Sequence, residues 1–357
     1  MRIAMLVNIP APYRVPVYDQ IAESCGSDFR VIYMAKLEAN RRWNVPVLRH
    51  DHVFLRGFAV GRKDREIHFR WGINHQLNSF LPDVILTGGF NPPMLTAWLH
   101  AQVFRSRHVP MSDAWAHSEA ELSSVHRLVR RAVYATSSAF IGASAKTLAL
   151  FETYGARKNL FKAPLGVDNA RFVAAAVPLA DRPFDLVFAG NLIDRKLPLF
   201  FADVVSRLAR RRGRASALVI GDGELRGELQ RALAQPGVEA AFTGFLQQAE
   251  LPAAYARGKI FCFPTRNDPW GVVANEACAS GMPVITCANA GCAGEIVVHA
   301  RNGYVVDLDA ETWAAHAQLL LDDAALLAEA GAQSLRAVRD YTFSAAADGI
   351  LAACRAS

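Results

Sequence analysis

The sequence predicts an α/β protein made of two doubly wound, parallel-sheet domains. Three observations predict it. Short continuous apolar runs alternate with longer amphipathic stretches along the chain. That rhythm breaks once, across residues 167–183, and then restarts. The 357 residues, 52% of them hydrophobic, suffice for two buried cores at roughly 100–200 residues per domain.

In the first half the expected strands are RIAMLVN (2–8), FRVIYM (29–34), DVILTG (83–88), RHVPMS (107–112), SAFIGAS (138–144) and LFKAPLG (160–166). Helical patterns lie between them, among them VYDQIAES, MLTAWLHAQVF and VHRLVRRAVYA. The strand runs are continuously apolar, as expected where helices cover both faces of a sheet. The break at 167–183 has two prolines and no period and reads as a linker. Strands then resume at DLVFAGN (185–191), ALVIGDG (217–223), AAFTG (240–244), KIFCFPT (259–265) and PVITCA (283–288), with helical patterns between. From residue 310 the tail reads as successive helices with narrow apolar stripes. In open parallel sheets ligands bind beyond the carboxyl ends of the strands, so the default site is a cleft between the domains.

Charge divides unevenly. Residues 1–180 carry 22 Lys and Arg against 13 Asp and Glu, whereas residues 181–357 carry 17 against 20. The basic first half suits an anionic partner, either a membrane surface or a phosphorylated substrate; two ordinary surfaces give the same numbers. Basic clusters fall at Arg41-Arg42, at residues 61–65, at Arg105 and Arg107, and at Arg127, Arg130 and Arg131. No apolar run reaches the ~18 residues of a membrane span, and Met1 leads straight into a strand pattern. Neither secretion nor membrane insertion is expected. The six cysteines form no CxxC pair and no metal spacing with histidine, which fits a reduced, cytoplasmic protein without a metal. Strand-GxGxxG followed by an acid is absent, against a dinucleotide dehydrogenase. The basic residues are not interleaved with aromatics, against nucleic-acid binding.

The most informative stretch is FPTRNDPWGVVANEACASGMPVI, residues 263–285. It reads as a strand ending at Pro264, a loop to Trp270 and a helix from about Gly271. Such a helix offers free backbone amides to a phosphate. Asp268 on the loop and Glu276 on the helix could hold the hydroxyls of two sugars with a phosphate between them. Taken singly, each residue also suits a cap or a solvated face.

The run DPWGVVANEACASGMPVI resembles the signature of the retaining GT-B glycosyltransferases of family 4, the glycosyl transferases group 1. Their motif is a Glu, seven residues and a second Glu, and Asp268 stands here in the first position. The resemblance implies that Asp268 holds the transferred sugar and that Glu276 holds the nucleotide ribose. VFAGNLIDRKLPLFFADVV resembles the segment that clamps the donor diphosphate; Lys196 matches the family lysine, Asn191 replaces a usual cation, and Arg195 is the candidate substitute. IGDGELRGELQRAL resembles the next strand–turn–helix, with Gly221 and Gly223 allowing close approach. TGFLQQAELPAAYA resembles the nucleobase loop, with Gly244 and Phe245. The resemblance implies that Trp270, Gly271 and Val272 flank the diphosphate, as does Gly291 in ANAGCAGEIVVHARNGYVV, which resembles the family's glycine-rich turn and whose Glu295 matches the family acid.

On the acceptor side, VNIPAPYRVPVYDQIAE offers Asn8, Tyr13 and Arg14, either as contacts or as parts of a rigid turn. MSDAWAHSEAEL offers Asp113 and His117, the histidine either near the transferred sugar or structural. The resemblance implies an acceptor-binding domain over 1–170, a nucleotide-sugar domain over 184–340 and a C-terminal helix over 341–357 crossing back to the first. It implies a hexosyltransferase with a nucleotide diphosphate sugar as donor and no separate cofactor. The expected acceptor is a lipid-linked or polysaccharide or lipopolysaccharide precursor, at a cytoplasmic location reaching the membrane face. A nucleotide-sugar epimerase and a non-catalytic sugar-binding protein on the same architecture stay open.

Overall fold

The first strand explains the continuous apolar runs. In β1 (Ile3–Val7) every residue is buried. Ile3, Met5 and Val7 join one core cluster with Val17, Tyr18 and Ile21, while Ala4 and Leu6 join another with Ile73, Leu77 and Met94. Successive strand side chains point to opposite faces, so a strand covered by helices on both sides must be apolar throughout. The computed structural model describes residues 1–39, 41–62 and 65–356, and the chain divides into two compact units.

The first unit comprises Met1–Leu165 and the C-terminal helix. Its strands are β1, β2 (Phe29–Tyr33), β3 (Asp51–Phe54), β6 (Val84–Thr87), β7 (Arg107–Ser112), β8 (Phe140–Gly142) and β9 (Leu160–Lys162), with a separate hairpin of β4 (Arg56–Arg62) and β5 (Arg65–Trp71). The main sheet is parallel in the order β3-β2-β1-β6-β7-β8-β9. Helices α1 (Val15–Cys25), α2 (Ile73–Phe80), α3 (Pro92–Phe104), α4 (Ser124–Ala135) and α5 (Ala145–Thr153) connect its strands. The sequence reading passed over β3, the hairpin and α2, where His, Gly and Arg interrupt the apolar runs.

The second unit, Gly166–Thr342, holds β10 (Phe184–Ala189), β11 (Ala215–Ile220), β12 (Val238–Gly244), β13 (Gly258–Phe263), β14 (Val284–Thr286) and β15 (Gly303–Val305). These form a parallel sheet in the order β12-β11-β10-β13-β14-β15. Its helices are α6 (Asn169–Ala175), α7 (Pro198–Arg212), α8 (Arg226–Leu233), α9 (Leu251–Tyr255), α10 (Val272–Ala279), α11 (Ala310–Asp322) and α12 (Ala324–Ala337). The stretch that reads as a linker is folded onto this unit. Asp168 caps α6, Asn169 donates to the Val338 carbonyl at 3.0 Å, and the buried Arg182 donates to the carbonyls of Val177, Gly258 and Ser280.

Each sheet has one place where the strand order reverses: between β1 and β6, and between β10 and β13. The loops leaving these neighbouring strands splay apart and open a crevice. Asn8 and Tyr13 sit on the loop leaving β1, and Asn191, Arg195, Lys196 and Asp268 on the loops leaving β10 and β13, whereas Asp113 and His117 follow β7.

Helix α13 (Phe343–Ala356) packs on α1 and β9, burying Ala346, Ala347, Ile350, Leu351 and Cys354 in the first unit's core. A Cβ added at Gly349 would stand 2.0 Å from the Lys162 carbonyl oxygen of β9. Backbone cannot yield as a flexible side chain does, so Gly349→Ala is expected to destabilise this unit by about 1–3 kcal/mol. Urea unfolding of the variant against the wild type measures it.

Candidate functional site

In the second unit the β10 and β13 loops are fastened along their length. The Arg266 guanidinium pairs with Asp194 through two bonds of 2.9 and 3.0 Å, and the Arg266 amide and Thr265 hydroxyl both donate to the Arg195 carbonyl. At the centre Lys196 Nζ pairs with Asp268 Oδ2. Arg195 Nη1 lies 3.6 Å from the same oxygen and donates to the Asn267 carbonyl at 2.8 Å, with its side chain 46% exposed. Asp268 Oδ1 accepts from the Trp270 amide at 3.1 Å. Burial alone would raise the Asp268 pKa, but the Lys196 ammonium, Arg195 and the Trp270 amide outweigh it and hold the carboxyl below its ordinary range.

The other glycines and loops are shaped around this pair. Gly271 stands at φ 96° ahead of α10, and a Cβ there would meet the Phe263 ring at 2.2 Å. A glycine in that place brings no side-chain cap, so the first amides of α10 keep their positive character. Val272 is the first residue of that helix. Gly291 passes so close to Pro269 that a Cβ would stand 1.8 Å from its carbonyl oxygen, and the Gly291 and Cys292 amides donate to the Asp268 and Trp270 carbonyls. Gly221 and Gly223 make the same kind of room, but for the β10 loop: added Cβ atoms would stand 2.0 Å from Gly190 O and 2.5 Å from Leu192 O. Asn191 lies in that loop, Gly244 ends β12, and the exposed Phe245 follows it.

Glu276 lies in the second turn of α10 and is buried. The Tyr255 hydroxyl donates to Glu276 Oε2 at 2.7 Å. Burial raises the Glu276 carboxyl to about 7, against a smaller opposing pull from Tyr255. Nothing in the ELPAAYA helical pattern marked Tyr255 as a site residue. Trp270 is also buried; its indole N–H donates to Asn275 at 2.8 Å and its ring stacks on Tyr341, whose hydroxyl donates to Glu295 at 2.8 Å.

In the first unit, Asn8 follows β1 and accepts from Asn91 Nδ2 at 3.0 Å, bridging the two loops at the β1–β6 reversal. Asn91 also escaped the sequence reading. Tyr13, Arg14 and Asp113 gather close enough to the buried Tyr18 to act on its hydroxyl, which burial itself raises to about 12. Arg14 Nη1 is buried with no hydrogen-bond partner among the described residues. The His117 ring lies 5.3 Å from that of Trp115, which Lys146 covers at 4.4 Å.

Residues 183–323 match the family model Glycosyl transferases group 1. Among curated relatives, the chain is 30% identical over 203 residues to the D-inositol 3-phosphate glycosyltransferase of Jonesia denitrificans, covering 54% of this chain and 47% of that one. It is 30% identical over 186 residues to the glycogen synthase of Mycobacterium tuberculosis, covering 51% and 45%. The chain thus spans about half the length of these relatives. Two solved structures share the fold across the whole chain: Anabaena HepE in complex with UDP and glucose, at TM-score 0.72, 16% identity and 98% coverage of each, and sucrose-phosphate synthase from Thermosynechococcus elongatus, at TM-score 0.75, 17% identity and 99% and 98% coverage. The GT-B pair of Rossmann-like units read from the sequence is the fold that this chain shares with these structures.

The Glu276 carboxyl carries a pH signature. Its folded pKa of about 7 lies above its ordinary 4.5, so the folded state keeps a proton that the unfolded chain loses between those values. The stability this contributes is fully present below the lower value and is lost as pH rises through the upper one. Glu276→Gln, which retains the acceptor for Tyr255, is expected to remove that slope, recovering up to about 3 kcal/mol relative to wild type at pH 8 over pH 5. Urea unfolding of both proteins across this range, without ligand, reads the difference.

Proposed function

We propose that the protein is a retaining glycosyltransferase that moves a hexose from a nucleotide diphosphate sugar to an acceptor hydroxyl without a metal ion. The observation carrying this reading is the Lys196–Asp268 pair at the β10–β13 reversal, beside the uncapped start of α10. A diphosphate is the ligand that such a place suits: it meets an ammonium, a half-exposed guanidinium and helix amides together. HepE, of the same fold, was solved with UDP and glucose.

Donor binding then follows from the charges. The diphosphate takes over Lys196 and Arg195, so Asp268 is released toward the sugar hydroxyls while Trp270 still fixes its other oxygen. Glu276, poised near neutrality, binds ribose hydroxyls either as acceptor or, protonated, as donor. As the bond between sugar and phosphate breaks, charge grows on the leaving oxygen, where Lys196, Arg195 and the α10 amides already point. Donors fixed in place before the charge develops need no reorganisation, which is how many enzymes gain most of their rate. The acceptor hydroxyl attacks from the face the phosphate leaves, and the departing phosphate takes its proton. This route needs no enzyme nucleophile.

The first unit takes the acceptor. Arg14, with a buried N–H lacking a partner beside Tyr13 and Asp113, favours an acceptor bearing an anionic group, such as a phosphorylated or lipid-diphosphate-linked sugar. The basic balance of residues 1–180 suits work at the cytoplasmic membrane face. Among the described residues no helix is long and apolar enough to cross a membrane.

UDP, GDP and ADP screened by thermal shift are expected to yield one stabilising nucleotide, since a ligand binding only the folded state raises the melting temperature. Lys196→Ala is expected to abolish that shift. Asp268→Asn is expected to keep it and to lower kcat by about 10²–10³-fold. No shift with any of the three, or conversion of a labelled nucleotide sugar to its epimer without acceptor, would overturn the reading.

A further inference from the structure

The loop that leaves β2 starts beside Asn8: the Ala35 amide donates to the Asn8 carbonyl at 2.9 Å. It is then fastened to one face of the β4–β5 hairpin. The register sets Gly57 opposite Arg70 and Ala59 opposite His68, so small residues on β4 leave room for long polar ones on β5. A Cβ at Gly57 would stand 2.9 Å from Arg70 Cδ. Glu66, two residues before His68, accepts from the Ala39 amide at 2.8 Å. Arg70 Nη2 donates to His68 Nδ1 at 3.2 Å. A guanidinium can only donate, so the buried imidazole carries its proton on Nε2 and gives it to Glu38 Oε1 at 3.2 Å. The His68 amide donates to Asn91 Oδ1 at 3.2 Å, which ties this network to the Asn91–Asn8 bridge.

Three N–H groups of this cluster, Arg41 Nε, Trp43 Nε1 and Arg70 Nε, are buried with no hydrogen-bond partner among the described residues. The Arg41 guanidinium lies over the Trp43 ring at 4.9 Å, and its Nε stands 4.0 Å from Glu38 Oε2, an ion pair beyond hydrogen-bond reach. Buried donors are nearly always satisfied, and three orphans in one connected cluster point to a ligand that brings the acceptors. We propose that Glu38, Arg41, Trp43 and Arg70 form a binding subsite for a neutral, hydroxyl-bearing sugar residue of the acceptor. That the sugar belongs to an acceptor rests on the transferase reading above; that the cluster binds a sugar does not.

Chemistry selects the class. An oxygen about 2.9 Å from both atoms can bridge the 4.0 Å between Arg41 Nε and Glu38 Oε2, accepting from one and donating to the other. A hydroxyl does both, whereas a phosphate or carboxylate oxygen only accepts and would face the Glu38 charge. Within the network Arg41 and Arg70 balance Glu38 and Glu66, so no excess of positive charge calls for an anion. Further hydroxyls of the same sugar can accept from Trp43 Nε1 and Arg70 Nε. The anionic group of the acceptor is left to Arg14, a different residue on the loop leaving β1. The basic cluster at 61–65, of which Lys63 and Asp64 lie outside the described residues, has no part in the subsite.

The test is an NMR titration of the whole chain, read at the Trp43 indole N–H resonance, which Trp43→Phe assigns. The probes are the methyl α-glycosides of glucose, galactose, mannose and rhamnose, with inorganic phosphate and acetate as anions. Expected is a saturable shift of the Trp43 resonance with at least one glycoside and none with either anion. Arg41→Gln is expected to weaken that glycoside by about tenfold or more, as for a lost hydrogen bond to a charged group. Arg70→Lys, which keeps the charge and a donor for His68 but removes Nε, is expected to weaken it as well, so one misfolded variant does not decide the outcome. No shift with any glycoside, or equal affinity in both arginine variants and the wild type, overturns the proposal. A shift with phosphate or acetate as large as any glycoside's gives the cluster to an oxyanion and also overturns it. The nucleotide-induced thermal shift, measured on the same samples, reads the second unit; its loss overturns the transferase reading and leaves the glycoside titration to decide the subsite.

Discussion

Lys196 and Asp268 are 72 residues apart in the chain and meet because the strand order reverses between β10 and β13. Bringing two charges out of water costs several kcal/mol per ion unless their attraction and added hydrogen bonds offset it. Here the offset comes from Arg195, from the Trp270 amide and from the fastening of one loop to the other by Arg266, Asp194 and Thr265. The rest of the site follows from holding that pair. Gly291 and Gly271 are needed because Pro269 and Phe263 must approach so closely, and Trp270 is buried because its amide has to reach Asp268.

The two carboxylates share a motif but not an electrostatic state. Asp268 faces cations and stays ionised; Glu276 faces only a tyrosine hydroxyl in an apolar surround, so it hovers near neutrality. One residue is suited to answer positive charge that comes and goes, the other to exchange hydrogen bonds with hydroxyls. Environment, not side-chain type, separates the roles.

Much of this was legible in the sequence where one local rule decided the outcome. The runs at 29–34, 107–112 and 259–265 became strands because continuous apolar character has one use in a doubly wound sheet. The motif from Asp268 to Glu276 placed its loop and helix start to within a residue, because Gly271 marks the turn. The misses share a cause. Tyr255, Asn91 and Arg266 act across elements, through partners that no local pattern names. Gly221 and Gly223 read as allowing close approach, and what approaches them is the backbone of the β10 loop. The hairpin escaped because its exposed face is the apolar one and its glycines break the alternation expected of a strand that covers a core.

Helix α13 belongs to the first unit yet is translated after the whole of the second. Until it emerges, the sheet face carrying Ile3, Met5 and Val7 lacks the layer that Ile350 and Leu351 provide. On the ribosome, the later unit therefore completes its core before the earlier one does, reversing the usual order from N- to C-terminus. The first unit must wait with apolar surface uncovered, and its quality control falls to the last helix of the chain. A chain cut short just before residue 343 would keep an intact second unit and an unfinished first one.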